Sequence, residues 1–123
     1  QPDTVVNMVT WIKTTLAQMV LGGVFERFPE LRIGSVEHEL SWVPYFLDRL
    51  DYTYTQRFRM DHWHRFKEDM LPSDYFHRCV FLGFQEDGLG IRLRDIIGVD
   101  SLQWGSDYPH QESTFPRSRE ILE

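Results

Sequence analysis

Three short apolar runs, set between stretches of helical patterning, constrain this chain more than anything else in it. Residues 31–37, 79–84 and 102–106 are short runs carrying apolar, β-compatible side chains. Alternation of such runs with helices is the pattern of parallel βα units. The runs are continuous rather than alternating, which predicts strands covered on both faces. Three strands make only a piece of a sheet.

The helical stretches follow from spacing. Asp3-Thr4 offers a helix start, and Val5, Met8, Val9, Ile12, Leu16, Met19 and Val20 then recur on one face up to Gly22-Gly23. A short turn over 24–28 closes at Pro29. A long amphipathic helix is expected over about 42–58, with Phe46, Leu47, Leu50 and Tyr54 on one side. Residues 61–70 read as partly helical. Leu71-Pro72-Ser73-Asp74 reads as a connector in which Ser73 caps one turn ending near His77. Helices are also expected over 89–97, before Gly98, and over 116–122.

Composition removes several function classes. The net charge of −6 gives no basic surface for nucleic acid or an anionic membrane. No apolar run nears the roughly 20 residues of a membrane span, and no signal-peptide pattern is present. The single Cys79 lies in an apolar run and reads as a small core residue. It excludes an intramolecular disulfide and fits a reducing, cytoplasmic compartment. With 123 residues, the chain is expected to be a single partial domain, and both ends read as cuts.

Chemistry concentrates at the ends of the first and third runs. Trp104-Gly105-Ser106-Asp107-Tyr108-Pro109-His110 delivers one carboxylate, Asp107, at a strand tip beside small residues. In parallel α/β sheets, active sites gather at that end. An acid that merely starts a turn before Pro109 is the competing reading. Glu37-His38-Glu39 ends the first run. His38 there is either a functional imidazole or a salt-bridged surface group. Trp42 could border a substrate or sit as the first apolar residue of its helix. His110 could reach a ligand or remain a solvated loop histidine. Arg92 and Arg94 read as a solvated helix face.

The motifs in order carry a resemblance. Phe28-Pro29-Glu30-Leu31-Arg32, then Glu37-His38-Glu39-Leu40-Ser41-Trp42-Val43-Pro44 with Leu47-Asp48-Arg49-Leu50-Asp51, then Phe81-Leu82-Gly83-Phe84-Gln85-Glu86-Asp87, then Trp104 to His110 resemble the metal-dependent amidohydrolase family. More narrowly, they resemble its branch of aminocarboxymuconate-semialdehyde decarboxylase and related aromatic-acid decarboxylases. The resemblance implies a partial (β/α)8 TIM barrel made of the last three βα units, strands six to eight. A complete barrel of this kind takes about 250 residues. It implies a divalent metal, often zinc, at the C-terminal face.

Under that resemblance, Asp107 falls on the eighth-strand aspartate, which binds the metal or positions its water. A hard carboxylate oxygen suits a divalent ion. His38 falls on the sixth-strand histidine that does acid/base work, for which imidazole is suited by its pKa. Several relatives carry a small residue at this position with a Glu before it, so Glu37 is the alternative. Trp42 and His110 are second-rank substrate-binding candidates.

His62-Trp63-His64 has the His-x-His spacing of the family's metal pair, but no apolar strand leads into it, so it reads as exposed helix or loop. The family's first-strand His-x-His and its middle-strand histidine have no counterpart here. Asp107 and His38 are too few for a catalytic zinc site, which takes at least three protein ligands. The expectation is a portion of a metal-dependent hydrolase or non-oxidative decarboxylase that acts on a small molecule through a metal-activated water, inactive as this chain alone. The alternative is a non-catalytic module, a barrel fragment that forms a homo-oligomer through exposed sheet edges.

Overall fold

The computed structural model describes residues 2–57 and 65–123. In chain order its elements are α1 (Pro2–Val6), α2 (Val9–Leu21), α3 (Val24–Arg27), β1 (Ile33–Ser35), α4 (Val43–Tyr52), a π-helical turn (Thr53–Arg57), α5 (Pro72–Cys79), β2 (Val80–Phe84), α6 (Gly88–Arg92), α7 (Arg94–Ile97), a 3-10 turn (Val99–Ser101), β3 (Leu102–Trp104) and α8 (Ser118–Leu122). His62 and His64 lie outside the described residues.

The three strands form one parallel sheet in the order β1-β2-β3. Ser35 pairs with Leu82, and Leu82 with Leu102. This row faces the helices, and Ser35 and Leu82 are fully buried. The opposite row carries Gly34, Phe81, Gly83 and Gln103. Gln103 is exposed and Phe81 is partly buried, so this face is open where the continuous apolar runs predicted cover on both sides. The chain is α/β, with a three-stranded parallel sheet.

The core is built from helical stripes against the buried row. On α4, Val43, Phe46, Leu47 and Leu50 recur at intervals of three and four and are all buried. On α5, Tyr75, Phe76 and Cys79 do the same. Leu16 and Val20 of α2, Phe25 and Ile97 close the cluster. Phe46 meets Phe76 edge-on, with ring centroids 6.0 Å apart.

Several boundaries differ from the expected ones. β1 ends at Ser35 rather than residue 37, because Glu37 turns left-handed (φ 65°) and takes the chain out of the sheet. The first helix is broken. The Asn7 side chain also bonds the Asp3 carbonyl, at 2.8 Å, and the Met8 amide reaches back only three residues, to Val5. Val5 and Met8 are therefore exposed, not part of a core stripe.

α5 is a full helix rather than one turn, and Ser73 is not its cap. The Ser73 amide and hydroxyl both donate to the Asp51 carboxylate on α4, at 2.9 and 2.6 Å. The negative Asp51 thus satisfies the start of α5 from outside. Asp74 accepts from the Leu71 amide at 2.8 Å. Residues 65–70 carry no helix. The helix expected over 89–97 is two short helices broken at Leu93. β3 ends at Trp104, although the Gly105 amide still bonds the Phe84 carbonyl at 3.0 Å.

Candidate functional site

The parallel strands deliver their C-terminal ends to one rim, and that rim holds the unusual backbone of the molecule. Among the described residues, the non-glycine residues with left-handed backbone are Glu37 (φ 65°), Glu39 (φ 55°) and Asp107 (φ 57°). All three are acids, and all follow strand ends. None gains from the conformation on its own, and such residues cluster where function demands a particular presentation.

Asp107 is set by the loop after β3. The Ser106 carbonyl accepts from the Thr114 amide at 3.0 Å and from the Ser113 hydroxyl at 2.8 Å, which closes the loop on itself. The Asp107 carbonyl accepts from the His110 amide at 2.7 Å. The Asp107 carboxylate lies 3.1 Å from His110 Nδ1, with the aspartate side chain 24% exposed and the histidine 61%. Nδ1 also lies 3.4 Å from the Glu112 amide. One ring nitrogen cannot donate to the first and accept from the second, and the shorter contact to a carboxylate is the stronger bond.

Two clefts meet at this rim. One, of ≈ 280 Å³, lies between Val36, Glu37, Gly83, Gln103 and Asp107. The other, of ≈ 400 Å³, joins Glu37, Glu39, Asp107 and His110 to Val5 and Met8 of the N-terminal segment. The fold therefore brings Asp107, His110 and Glu37 together.

His38 and Trp42 are engaged elsewhere. His38 Nδ1 is 3.4 Å from the buried Ser35 hydroxyl. The Trp42 indole donates to the Glu39 carbonyl at 3.0 Å and packs edge-on against Phe46 at 5.4 Å.

Two acids that sequence reasoning did not single out tie the rim together. Asp87 Oδ2 accepts from the Leu40 and Ser41 amides, at 2.8 and 2.7 Å. Its Oδ1 accepts from the Gly90 amide at 2.7 Å. Glu39 reciprocates, receiving the Gln85 amide at 3.3 Å and the Glu86 amide at 3.5 Å. Burial would raise the Asp87 pKa, but the amides of Gly90, Leu40 and Ser41 outweigh it and hold the carboxyl below its usual value. Glu39 is raised, chiefly by burial, against the partial offset of its two amides and with the Asp87 and Glu86 charges adding.

These donors are hard oxygens with one accessible imidazole, a set that suits a divalent cation. Among the described residues, however, no group of three or more His, Cys, Asp or Glu side chains is gathered as a metal site. A resident ion would need further ligands from beyond the described residues. No described helix is long and apolar enough to cross a membrane.

No protein-family model matches the chain. Solved structures do. The chain is similar to 5-carboxyvanillate decarboxylase from Sphingomonas paucimobilis, with TM-score 0.73 and 25% identity over 89% of this chain and 32% of that one. It is similar to an amidohydrolase from Mycobacterium avium subsp. paratuberculosis, with TM-score 0.63 and 33% identity over 83% of this chain and 25% of that one. A 5-carboxyvanillate decarboxylase from Novosphingobium aromaticivorans, solved with bound manganese and 3-methoxy-4-hydroxy-5-nitrobenzoic acid, shares the fold (TM-score 0.64, 21% identity, 89% of this chain and 31% of that one). The chain thus spans a quarter to a third of the proteins it matches. The structures it matches are members of the amidohydrolase superfamily, and its three-stranded parallel sheet matches part of their (β/α)8 barrel.

Proposed function

We propose that this chain is one part of a metal-dependent hydrolase or non-oxidative decarboxylase of small molecules, and that it is inactive alone. The observation that carries the reading is Asp107, held left-handed at the tip of β3 in one cleft with Glu37. Bound manganese in a structure of the same fold supports a divalent ion, and zinc is the ion that the family resemblance implies. Such an ion lowers the pKa of a water and polarises a carbonyl or carboxylate.

The chain's own residues have separate tasks. Asp107 holds a proton or orients a water, and His110, paired to it at 3.1 Å, sets the carboxylate's direction. Glu37, which lines the cleft, moves a proton on its β1 side in place of His38, whose Nδ1 faces the Ser35 hydroxyl at 3.4 Å. The buried, unpaired Cys79 supports a cytoplasmic setting.

Calorimetric titration of the isolated chain with zinc and manganese is expected to give no submicromolar binding and no turnover. Submicromolar affinity with turnover would overturn the incomplete-site reading. In a longer protein whose coding frame adds a strand ending in His-x-His, Asp107→Asn is expected to lower turnover on the order of a hundredfold or more. Unchanged turnover would sink the role of Asp107.

A second reading is favoured by the sheet edges. Among the described residues, β1 and β3 each pair only with β2, so each keeps a free edge. Free edges recruit strands, and a second copy of this chain could supply them in a non-catalytic assembly. Light scattering on the eluting chain decides this, since a strict monomer at high concentration excludes self-pairing.

A further inference from the structure

We propose that Asp87 is a positioning residue, which holds the loop after β1 in the strained conformation that presents Glu37 to the cleft it shares with Asp107. The inference rests on reading that cleft as the reaction site.

The division of labour between the two carboxylate oxygens carries the argument. Oδ1 caps its own helix through the Gly90 amide. A cap needs no more than that. Oδ2 is committed instead to Leu40 and Ser41, 47 and 46 residues away in sequence. Those two residues directly follow Glu39, which with Glu37 stands left-handed on either side of His38.

The loop is thereby fixed at both ends. Ser35 is held in the sheet opposite Leu82, and Leu40 is held by Asp87. Four residues must span the gap, and their two left-handed turns are the way this is done. Glu39 locks the middle by accepting from Gln85 and Glu86 and by receiving the Trp42 indole at its carbonyl. The fit against α6 is close enough to require Gly90. A Cβ there would lie 2.5 Å from Leu40 Cβ and 2.7 Å from Asp87 Oδ2. Strain of this kind persists only where surroundings over-determine it, and Asp87 is the hub of those surroundings.

The test is amide hydrogen exchange and chemical shift on the isotope-labelled chain. Asp87→Asn keeps a capping side chain but loses a charged acceptor. It is expected to speed exchange at Leu40 and Ser41 on the order of tenfold or more. It is also expected to shift the Glu37 and His38 resonances while Ser35 and Leu82 keep wild-type exchange. Gly90→Ala should produce the same pattern with Asp87 still present. Changes confined to residues 88–92, with residues 37–41 untouched, would make Asp87 only a helix cap and overturn the proposal.

If Asp87→Asn fails to fold, Gly90→Ala and the wild type decide the matter. In the wild type, Leu40 and Ser41 must exchange more slowly than Glu112, and equal rates there also overturn the proposal. Failure of the metal-site reading appears separately, as unchanged turnover in Asp107→Asn, and leaves these exchange patterns as they are.

Discussion

The Phe81 ring lies over Gly34, so close that a Cβ on residue 34 would sit 2.3 Å from Phe81 Cζ and 2.5 Å from Cε2. The two residues pair directly across β1 and β2. An aromatic ring over a strand glycine shields backbone that no side chain covers. This contact lies on the open face of the sheet, opposite the helical core.

Gly34→Ala must therefore displace the ring. The expected cost is about 1–3 kcal/mol, read as a lower midpoint in urea denaturation. Phe81→Leu shortens the side chain and should recover part of that loss in the double variant. Strict additivity of the two changes would show that the ring and Gly34 are not coupled.

Phe76 is 1% exposed and touches Phe46 edge-on at the centre of the core. Phe76→Ala leaves a cavity there and is expected to cost about 3–5 kcal/mol. Trp11 is 71% exposed. Trp11→Ala should stay within about 0.5 kcal/mol by the same denaturation measurement.

Asp87 and Glu39 are expected to leave opposite marks on acid stability. The Asp87 pKa is depressed in the fold, so its contribution is present above its ordinary value of 3.8 and is lost only as pH falls through the lower folded value. The Glu39 pKa is raised, so its contribution is complete below its ordinary value of 4.5 and is lost as pH rises through the higher folded value. On acidification, Glu39 therefore adds stability first and Asp87 removes it later. Denaturation midpoints measured across the carboxylate range should lose the first change in Glu39→Gln and the second in Asp87→Asn.

Tyr75 is 1% exposed, and its hydroxyl donates to the Glu68 carboxylate at 2.8 Å. Burial first, and then that hydrogen bond, push its phenol well above the usual tyrosine range. Spectrophotometric titration should show one tyrosine that ionises last, and only on unfolding. Tyr75→Phe should abolish that phase and cost about 1–3 kcal/mol.

Much of this was legible in the chain itself. The α4 stripe of Val43, Phe46, Leu47 and Leu50 could be read from spacing, because helical period and burial coincide there. The three strands could be placed, because continuous apolar runs flanked by helices have few other uses. The end of β2 at Phe84 could be placed too, but those of β1 and β3 could not. Glutamate carries no preference for left-handed backbone, so nothing local announces that Glu37 stops β1. Trp42, open to two readings in sequence, is seated against Phe46 by the core that α4 builds.

The sequence by itself determined an α/β chain with parallel strands, and it placed Asp107 at a strand tip, since apolar periodicity and a carboxylate beside glycine and proline are local signals. Only the tertiary structure decided which acids share the rim. Asp107 meets Glu37 and His110 because parallel strands end on one side. Asp87 joins them because its two oxygens reach amides that are distant in sequence. Hydrogen bonds to backbone amides carry no side-chain signature on the donating residue, so a contact between Asp87 and Leu40 exists only once the chain has folded.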